Sequence, residues 1–122
     1  MASVIIITNL KLDRDKKREV IKDIGDAVTT KVGVDAKYRS VMWQVLPDED
    51  FHEHQKDILN LFVYLPPKSV DYKRDMGAKI QAAIDGHFSR DSVDTVTIFK
   101  EHRDENVYKN GALRWDETNA VL

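Results

Sequence analysis

The sequence predicts an α+β fold in which two duplicated β-α-β units form one four-stranded sheet, with two helices on one of its faces. The first observation behind this prediction is an internal repeat about 56 positions apart, in which residues 13–20 and 69–76 carry acidic, basic and apolar residues in nearly the same order. The second is that each copy is preceded and followed by a strand-like apolar run. We therefore expect a single domain of two pseudo-repeats, residues 1–47 and 58–103, with a C-terminal hairpin or tail.

The first unit reads as strand, helix, strand. Residues 3–8 are β-branched and apolar at nearly every position, which is typical of a strand that is covered on both faces. Asp13 suits a helix N-cap and Gly33 a helix C-terminus, and apolar residues recur between them at helical spacing. Residues 40–46 then predict a second strand, which Pro47 ends.

The second unit repeats this order. Residues 58–65 predict a third strand, Ser69 suits the N-cap of a second helix, and residues 93–100 predict a fourth strand. Ile24 and Ile80 take the same place in the apolar stripes of the two helices. Because the units match in this way, we expect both helices to pack on the same face of the sheet.

The strands of the two units align less directly than the helices. Residues 4–7 align with residues 60–63 without a gap. Residues 39–43 align with residues 94–98 only after a slip of one residue in the connecting loop. We expect these aligned positions to be equivalent in the fold.

The predicted sheet has a face that the two helices cannot reach. The apolar first and third strands leave that face uncovered in a single chain. An exposed apolar surface of this size is more often an oligomer interface than a solvated surface. The sequence therefore predicts a homo-oligomer.

The tail carries one turn signal. The pair Asn110-Gly111 favours a tight reversal between antiparallel strands, because both residue types tolerate positive φ. We expect a terminal hairpin within residues 106–115.

Composition restricts the class of protein. The 122 residues suffice for one domain that buries roughly two-thirds of the surface of its unfolded chain. Cysteine is absent, which excludes disulfides and thiolate chemistry, and the net charge of -2 is too evenly mixed to predict a nucleic-acid or membrane surface. The scattered glycines form no phosphate-binding loop, so we expect no cofactor. With no signal peptide or long apolar run, the expected location is cytoplasmic.

Several of these features occur together in one known family. They are the helix start at residues 13–17, the segment 26–29, Gly33, the strand at residues 40–46 and the Asn110-Gly111 pair. In this combination the chain resembles the tautomerase superfamily, specifically fused two-unit members such as malonate semialdehyde decarboxylase and cis-3-chloroacrylic acid dehalogenase. The resemblance spans nearly the whole chain and implies a tautomerase/MIF-like fold, a trimer and chemistry on small keto or enol acids.

The catalytic group that the resemblance implies is an N-terminal amine. Family members carry a proline directly after the initiator methionine, and this chain has Ala2 there. Ala2 supplies a basic amine only if Met1 is removed, with a pKa of about 7.7–8.0 that an apolar setting lowers. The alternative is that Ala2 merely starts the first strand.

Four further residues are candidates for substrate binding. Arg39 and Lys68 lie near strand ends, where the family gathers cations against an anionic substrate, although Leu12 stands where the family often has an arginine. Tyr64 and Trp43 are candidates for the pocket wall. The alternatives are solvated surface charge for the two cations and core or interface packing for the two aromatic residues.

The histidines predict no site of their own. His52 and His54 point the same way in an extended segment, but no third ligand completes a zinc site, so a solvated loop is expected and no metal. His87 and His102 are isolated from any serine or cysteine that would act as a nucleophile.

The function predicted from the resemblance is that of a keto-enol tautomerase or isomerase of small 2-oxo acids, with the Ala2 amine or a tyrosine moving the proton. The alternative is a non-catalytic tautomerase-fold oligomer that binds a ligand without turnover. The missing proline leaves open whether the protein is an enzyme at all. The expected partners are further copies of the chain, most simply as a trimer, and a small anionic substrate or ligand.

Overall fold

The computed structural model describes residues 2–33, 39–51 and 56–118. In chain order these ranges contain β1 (Ala2–Thr8), α1 (Arg14–Val32), β2 (Arg39–Val45), β3 (Asp57–Leu65), α2 (Val70–Asp85), β4 (Val93–Glu101), β5 (Tyr108–Lys109), β6 (Ala112–Leu113) and α3 (Arg114–Thr118). Short 3-10 turns lie at Asp48–Asp50 and Asp104–Asn106. None of the described helices is long and apolar enough to cross a membrane.

The first four strands form one mixed sheet in the order β2-β1-β3-β4. β1 pairs with β2 and β3 pairs with β4 in parallel, each across a helical crossover, while β1 and β3 pair antiparallel at the centre. The predicted α+β architecture with one four-stranded sheet is therefore confirmed. We propose that the two β-α-β units correspond to the pseudo-repeats expected at residues 1–47 and 58–103.

Both long helices begin at the side-chain caps that the sequence predicts. The Asp13 carboxylate accepts a hydrogen bond from the backbone N–H of Lys16 at 2.8 Å, and the Ser69 hydroxyl accepts one from the backbone N–H of Tyr72 at 3.1 Å. Gly33 ends α1 in the left-handed region, with φ of 78°. These contacts satisfy backbone groups that the helix itself leaves unpaired.

The core lies between the two helices and one face of the sheet. Counted from their N-caps, α1 and α2 bury side chains at equivalent positions: Val20, Ile24 and Val28 on α1, and Met76, Ile80 and Ile84 on α2. The central strands bury alternate residues against them, namely Val4, Ile6 and Thr8 on β1 and Leu59, Leu61, Val63 and Leu65 on β3. Both helices thus cover the same face of the sheet, as predicted.

The strand alignment predicted from the sequence is wrong by one residue. Val4 is buried against the helices, whereas its aligned partner Asn60 lies between two buried residues of β3 and so faces the other way. Residues 9–13 join β1 to α1, but only residues 66–69 join β3 to α2. Because the second connection is one residue shorter, an alignment that fits the helices places the strand residues on opposite faces.

The two long helices leave the other face of the sheet open. We call this surface the open sheet face; its apolar side chains are Ile5, Ile7, Met42, Ile58, Phe62, Val96 and Ile98. Met42 is 50% exposed, and Val96 and Ile98 are each 43% exposed. A single chain therefore presents a contiguous apolar surface to water.

A short hairpin lies in the tail. β5 and β6 pair antiparallel, with Tyr108 opposite Leu113, and the turn between them places Asn110 at φ 52° and Gly111 at φ 87°. Asparagine and glycine tolerate these positive angles better than other residues. The chain then enters the five-residue helix α3, which the sequence reasoning did not expect.

If the two helices share one core, their central residues should contribute similarly to stability. Ile24 and Ile80 are both fully buried, so we expect Ile24→Ala and Ile80→Ala each to lower the free energy of unfolding by about 2–5 kcal/mol. Urea denaturation measures this loss. Val70→Ala is the control, because Val70 is 66% exposed at the start of α2 and should change stability by no more than about 0.5 kcal/mol. A near-zero effect at only one of the two isoleucines would contradict the shared core.

Candidate functional site

Most of the predicted site residues meet at one end of the sheet. Parallel pairing places the backbone of Ala2 beside Arg39, and antiparallel pairing places the next residue of β1, Ser3, opposite Tyr64. Lys68 lies in the connection that follows β3. The start of the first strand and the end of the third strand therefore define one region.

Arg39 lies at this end, but its side chain is bound to α1. Its guanidinium donates to the carboxylate of Asp26, which also accepts a hydrogen bond from the Lys22 ammonium at 2.8 Å. These two cations, with Arg39 the larger cause, hold the pKa of Asp26 below its usual range. The guanidinium also lies so close to Gly25 that a Cβ there would be 3.0 Å from Arg39 Cζ. The contacts favour a structural role in joining β2 to α1, and contact with a substrate carboxylate stays a prediction.

Trp43 lies away from this end of the sheet. It pairs with Ile6 in the middle of β2 and packs against the core on the helix side. Its indole Nε1 is buried and has no hydrogen-bond partner among the described residues. These observations favour packing, and a role in a pocket wall stays a prediction.

A cavity of about 80 Å³ opens where β1 begins, and we call it the N-terminal pocket. Its walls come from β1, from the end of β3, from the segment after β4 and from the tail hairpin. The lining residues are Ser3, Tyr64, Pro66, His102, Asp104, Val107, Lys109 and Arg114. Tyr64 lines this cavity, and its role in substrate binding stays a prediction.

The wall of the N-terminal pocket carries both cationic and anionic side chains. The backbone N–H of His102 donates to the carbonyl of Leu65 at 2.9 Å, which attaches the segment after β4 to the end of β3. The imidazole Nδ1 of His102 is buried without a hydrogen-bond partner among the described residues. Arg114 Nε lies 3.8 Å from Asp104 Oδ1. With Lys109 also in the wall, the pocket is lined by two cationic side chains and one carboxylate.

A second cavity, of about 90 Å³, lies on the helix side of the same sheet end, and we call it the interhelical pocket. Tyr64 and Pro66 line both cavities, and the other residues around this one are Val28, Val32, Val63, Leu65, Lys68, Tyr72 and Met76. The wall is mostly apolar, with one ammonium group. This cavity suits the apolar part of a ligand better than its charged part.

Lys68 lines the interhelical pocket but has protein contacts of its own. Its ammonium lies 5.0 Å from the centroid of the Tyr72 ring, within the range of a cation–π contact. Its backbone N–H donates to Glu101 at 2.7 Å, and Glu101 also accepts from the Lys73 ammonium at 2.8 Å. The Lys73 contact first, and the Lys68 N–H second, hold the pKa of Glu101 below its usual range. Substrate binding by Lys68 stays a prediction.

Sequence reasoning missed His102, Asp104 and Arg114 as residues of the pocket. Reading along the chain, His102 has no nucleophile or metal ligand beside it, and its partners in the wall come from distant segments. Topology could have found it. Since β4 runs parallel to β3 and both run antiparallel to β1, the end of β4 must lie near the start of β1.

The other histidines do not form a metal site in the described part of the chain. His52 and His54 lie outside the described residues. His87 links the segment after α2 to α1, because its Nε2 lies 2.6 Å from Asp23 and its Nδ1 lies 2.8 Å from the Lys16 ammonium. Among the described residues, no group of three or more side chains could hold a metal ion.

Sequence comparisons identify no relative, since no protein-family model and no curated protein matches the chain. Solved structures do resemble it. An R7 fused 4-OT, described as an asymmetric trimer, has a TM-score of 0.80 at 13% identity over 95% of this chain and 98% of that chain. FG41 malonate semialdehyde decarboxylase inhibited by 3-bromopropiolate has a TM-score of 0.74 at 12% identity, over 97% and 96%. Macrophage migration inhibitory factor of Toxoplasma gondii has a TM-score of 0.71 at 14% identity, over 88% and 96%. Identities this low show a shared fold and nothing more.

The contacts of Asp26 predict a pH dependence of stability. Because Arg39 and Lys22 lower the pKa of Asp26 in the folded state, this carboxylate stabilises the protein above its unfolded pKa of about 3.9. That contribution is lost as the pH falls through the lower folded pKa. We therefore expect Asp26→Asn to be less stable than the wild type at neutral pH, with the difference shrinking below about pH 4. Urea denaturation at several pH values measures it.

Asp91→Asn is the matched control, because Asp91 is exposed in the segment after α2. The difference in free energy of unfolding between Asp91→Asn and the wild type should change little between neutral and acidic pH. A loss of stability in Asp26→Asn that is the same at neutral and acidic pH would contradict an ionic role for the carboxylate.

Proposed function

From its tautomerase-superfamily fold, we propose that the chain is a keto-enol tautomerase or isomerase of small 2-oxo acids with atypical catalytic residues. One observation supports this more than any other. The N-terminal pocket combines an excess of positive charge with Tyr64, at the end of the sheet where the strand of Ala2 begins. The cytoplasmic location expected from the sequence is part of the same proposal.

Two requirements of the chemistry match this region. A 2-oxo acid must be held by its carboxylate, and a proton must move at the carbon beside the carbonyl. The basic side chains of the pocket suit the first requirement. We assign the second to the amine of Ala2 after removal of Met1, since an α-amino group has a pKa of about 7.7–8.0. Tyr64 orients the substrate, and Lys68 adds a cation on the helix side of the same sheet end.

In this proposal, Arg39 and Trp43 act on the site indirectly, through the position of β2. Arg39 pairs with Asp26, and Trp43 packs against the core, so both position β2 beside β1. The Ala2 backbone is held directly by that strand pair. Substitution of either residue should therefore act on stability before it acts on substrate affinity.

We also propose that the protein is a trimer assembled through the open sheet face. Water-exposed apolar side chains on that face include Met42, Val96 and Ile98. Three fused 4-OT proteins of similar structure are described as trimers, two asymmetric and one symmetric. Assembly would remove the exposed apolar area from water, which is the main driving force in association.

The proposed activity predicts slow proton exchange. Wild-type protein that lacks Met1 should exchange the C3 protons of 2-oxobutanoate for deuterium slowly, and should ketonise phenylenolpyruvate weakly, because Ala2 provides only a primary amine. Ala2→Pro should raise the exchange rate roughly tenfold or more, since proline provides a secondary amine with fixed φ and a first strand residue tolerates a missing N–H. Proton NMR in D2O measures the rate.

The control is Ala2→Pro protein in which intact mass shows that Met1 is retained. Its proline nitrogen is an amide without basicity, so the gain should be absent. The tautomerase proposal is wrong if neither the wild type nor Ala2→Pro, both folded, assembled and lacking Met1, exchanges protons faster than buffer alone. That result favours the non-catalytic alternative.

The proposed trimer predicts a mass in solution and a substitution that should break the assembly. Light scattering at micromolar concentration should give about three times the 14.1 kDa mass of the chain. Ile98→Glu places a charge on the open sheet face and should reduce the mass to that of the monomer, because a buried unpaired carboxylate is costly. Ala82→Glu, on the exposed side of α2, should leave the trimer intact. A wild-type monomer would rule out assembly through this face.

A further inference from the structure

Three titratable side chains form a hydrogen-bonded chain between α1 and the segment after α2, and we call them the lysine-histidine cluster. The Lys16 ammonium lies 2.8 Å from Nδ1 of His87, and Nε2 of the same ring lies 2.6 Å from Oδ2 of Asp23. Lys16 and Asp23 belong to α1, which begins after the end of β1, and His87 follows the C-terminal end of α2. The cluster therefore lies at the opposite end of the sheet from the N-terminal pocket, and the proposed function assigns it no task.

The partners of His87 determine where its ring carries a proton. A lysine ammonium only donates hydrogen bonds, so Nδ1 accepts, and the ring proton lies on Nε2 and is donated to the Asp23 carboxylate. The side chain of His87 is only 11% exposed, so water has little room to replace either partner. In this arrangement the imidazole is neutral, and its basic nitrogen faces the nitrogen of Lys16.

Lys16 differs from two other half-buried lysines in the kind of group that it contacts. Lys31 and Lys73 each lie 2.8 Å from a carboxylate. A carboxylate stabilises the ammonium form and is too weak a base to take its proton near neutral pH, since its pKa is about 4. An imidazole gains and loses a proton in that range. Lys16 thus has a base beside it where Lys31 and Lys73 have a counter-ion.

The cluster has the arrangement that activates a side chain for covalent chemistry. Such sites combine a nucleophile, a base within hydrogen-bond distance of it and a third group that orients the base. Lys16, His87 and Asp23 fit these three roles in that order, because a carboxylate in the third place also stabilises the imidazolium that forms when the base takes a proton. The Lys16 ammonium lies 5.7 Å from the centroid of the Phe88 ring as well, so contacts on two sides hold the nucleophile in position.

We propose that Lys16 is an acylation site, with His87 as general base, Asp23 as a positioning residue and a small acyl phosphate as the acyl donor. Lys16 reacts as the amine, after it has lost to solvent a proton that does not face Nδ1. Its lone pair forms the N–C bond to the acyl carbon, and Nδ1 takes one of the two remaining protons. The C–O bond to the phosphate breaks, and both electrons leave with the phosphate. The product is a neutral amide, and the imidazolium returns its proton to solvent. This inference does not depend on the proposed function.

The test is acetylation of the full chain by acetyl phosphate at low conversion. Chymotrypsin digestion and tandem mass spectrometry report the acetylated fraction at each lysine. At about pH 8, Lys16 should be acetylated about tenfold or more faster than Lys17, which is the next residue of α1 and equally half-buried. Lys31 and Lys73 should also react more slowly than Lys16, because their carboxylates hold them as ammonium groups.

The dependence on pH identifies the base. As the pH falls from about 8 to about 5, the rate of Lys16 relative to Lys17 should fall towards one, because an imidazolium has no lone pair to accept the proton. Asp23→Asn should lower the rate at Lys16 and move the pH at which this advantage is lost to a lower value, since the imidazolium loses its counter-ion. A carboxylate with a merely structural role would not move that pH.

His87→Gln separates general-base catalysis from the positioning of Lys16. A glutamine side chain can accept from Lys16 and donate to Asp23, but an amide does not take a proton at these pH values. Lys16 in His87→Gln should be acetylated about tenfold or more slowly than in the wild type, with the rate at Lys17 unchanged. Circular dichroism checks that the variant is folded, and the comparison of Lys16 with Lys17 in the wild type needs no variant.

Two results would overturn the inference. One is equal acetylation of Lys16 and Lys17 in the folded wild type at every pH. The other is a folded His87→Gln protein in which Lys16 keeps its wild-type rate, because His87 then only tethers the segment after α2 to α1.

Discussion

The structure depends on a sheet whose two central strands are largely apolar on both faces, although the long helices of the described residues cover only one face. On the helix side, Ile6 of β1 and Leu61 of β3 are fully buried beneath α1 and α2. On the other side, the same strands carry Ile5 and Phe62. One-sided coverage fixes the helices to a single layer and leaves an apolar surface that a second copy of the chain can cover. Stability and proposed assembly therefore follow from the same strands.

The antiparallel centre of the sheet also determines where a site can form. It places the start of β1 beside the ends of β3 and β4, so three distant parts of the chain meet. Ion pairs hold this region together: Arg39 binds Asp26, and Glu101 binds Lys73. Arg39, which the sequence analysis selected as a candidate and which lies at the start of β2, is thus bound to α1, while Arg114 in the tail lines the cavity.

Much of the fold could be predicted because its signals are local. Each long helix is determined by its own N-cap, Asp13 or Ser69, and by an apolar stripe of residues three or four positions apart. The residues of β1 and β3 could not be aligned correctly. The connection from β3 to α2 is one residue shorter than the connection from β1 to α1, and an alignment based on the helices does not detect this difference. Tyr64 could be named from the sequence as a candidate for a pocket wall, a role that stays a prediction. His102 could not, since the side chains around it are close in space and distant in sequence. Ala2 could be selected only by resemblance.

Oxidation of individual methionines tests most directly whether the open sheet face is covered in solution. Met42 lies on that face and is 50% exposed in the single chain, whereas Met76 is fully buried in the core. Brief peroxide treatment followed by peptide mass spectrometry reports the sulfoxide at each position. If copies of the chain cover the face, Met42 in the wild type should be protected nearly as well as Met76 and should become reactive in Ile98→Glu. Rapid oxidation of Met42 in the native wild-type protein, at the same rate as in Ile98→Glu, would contradict this account.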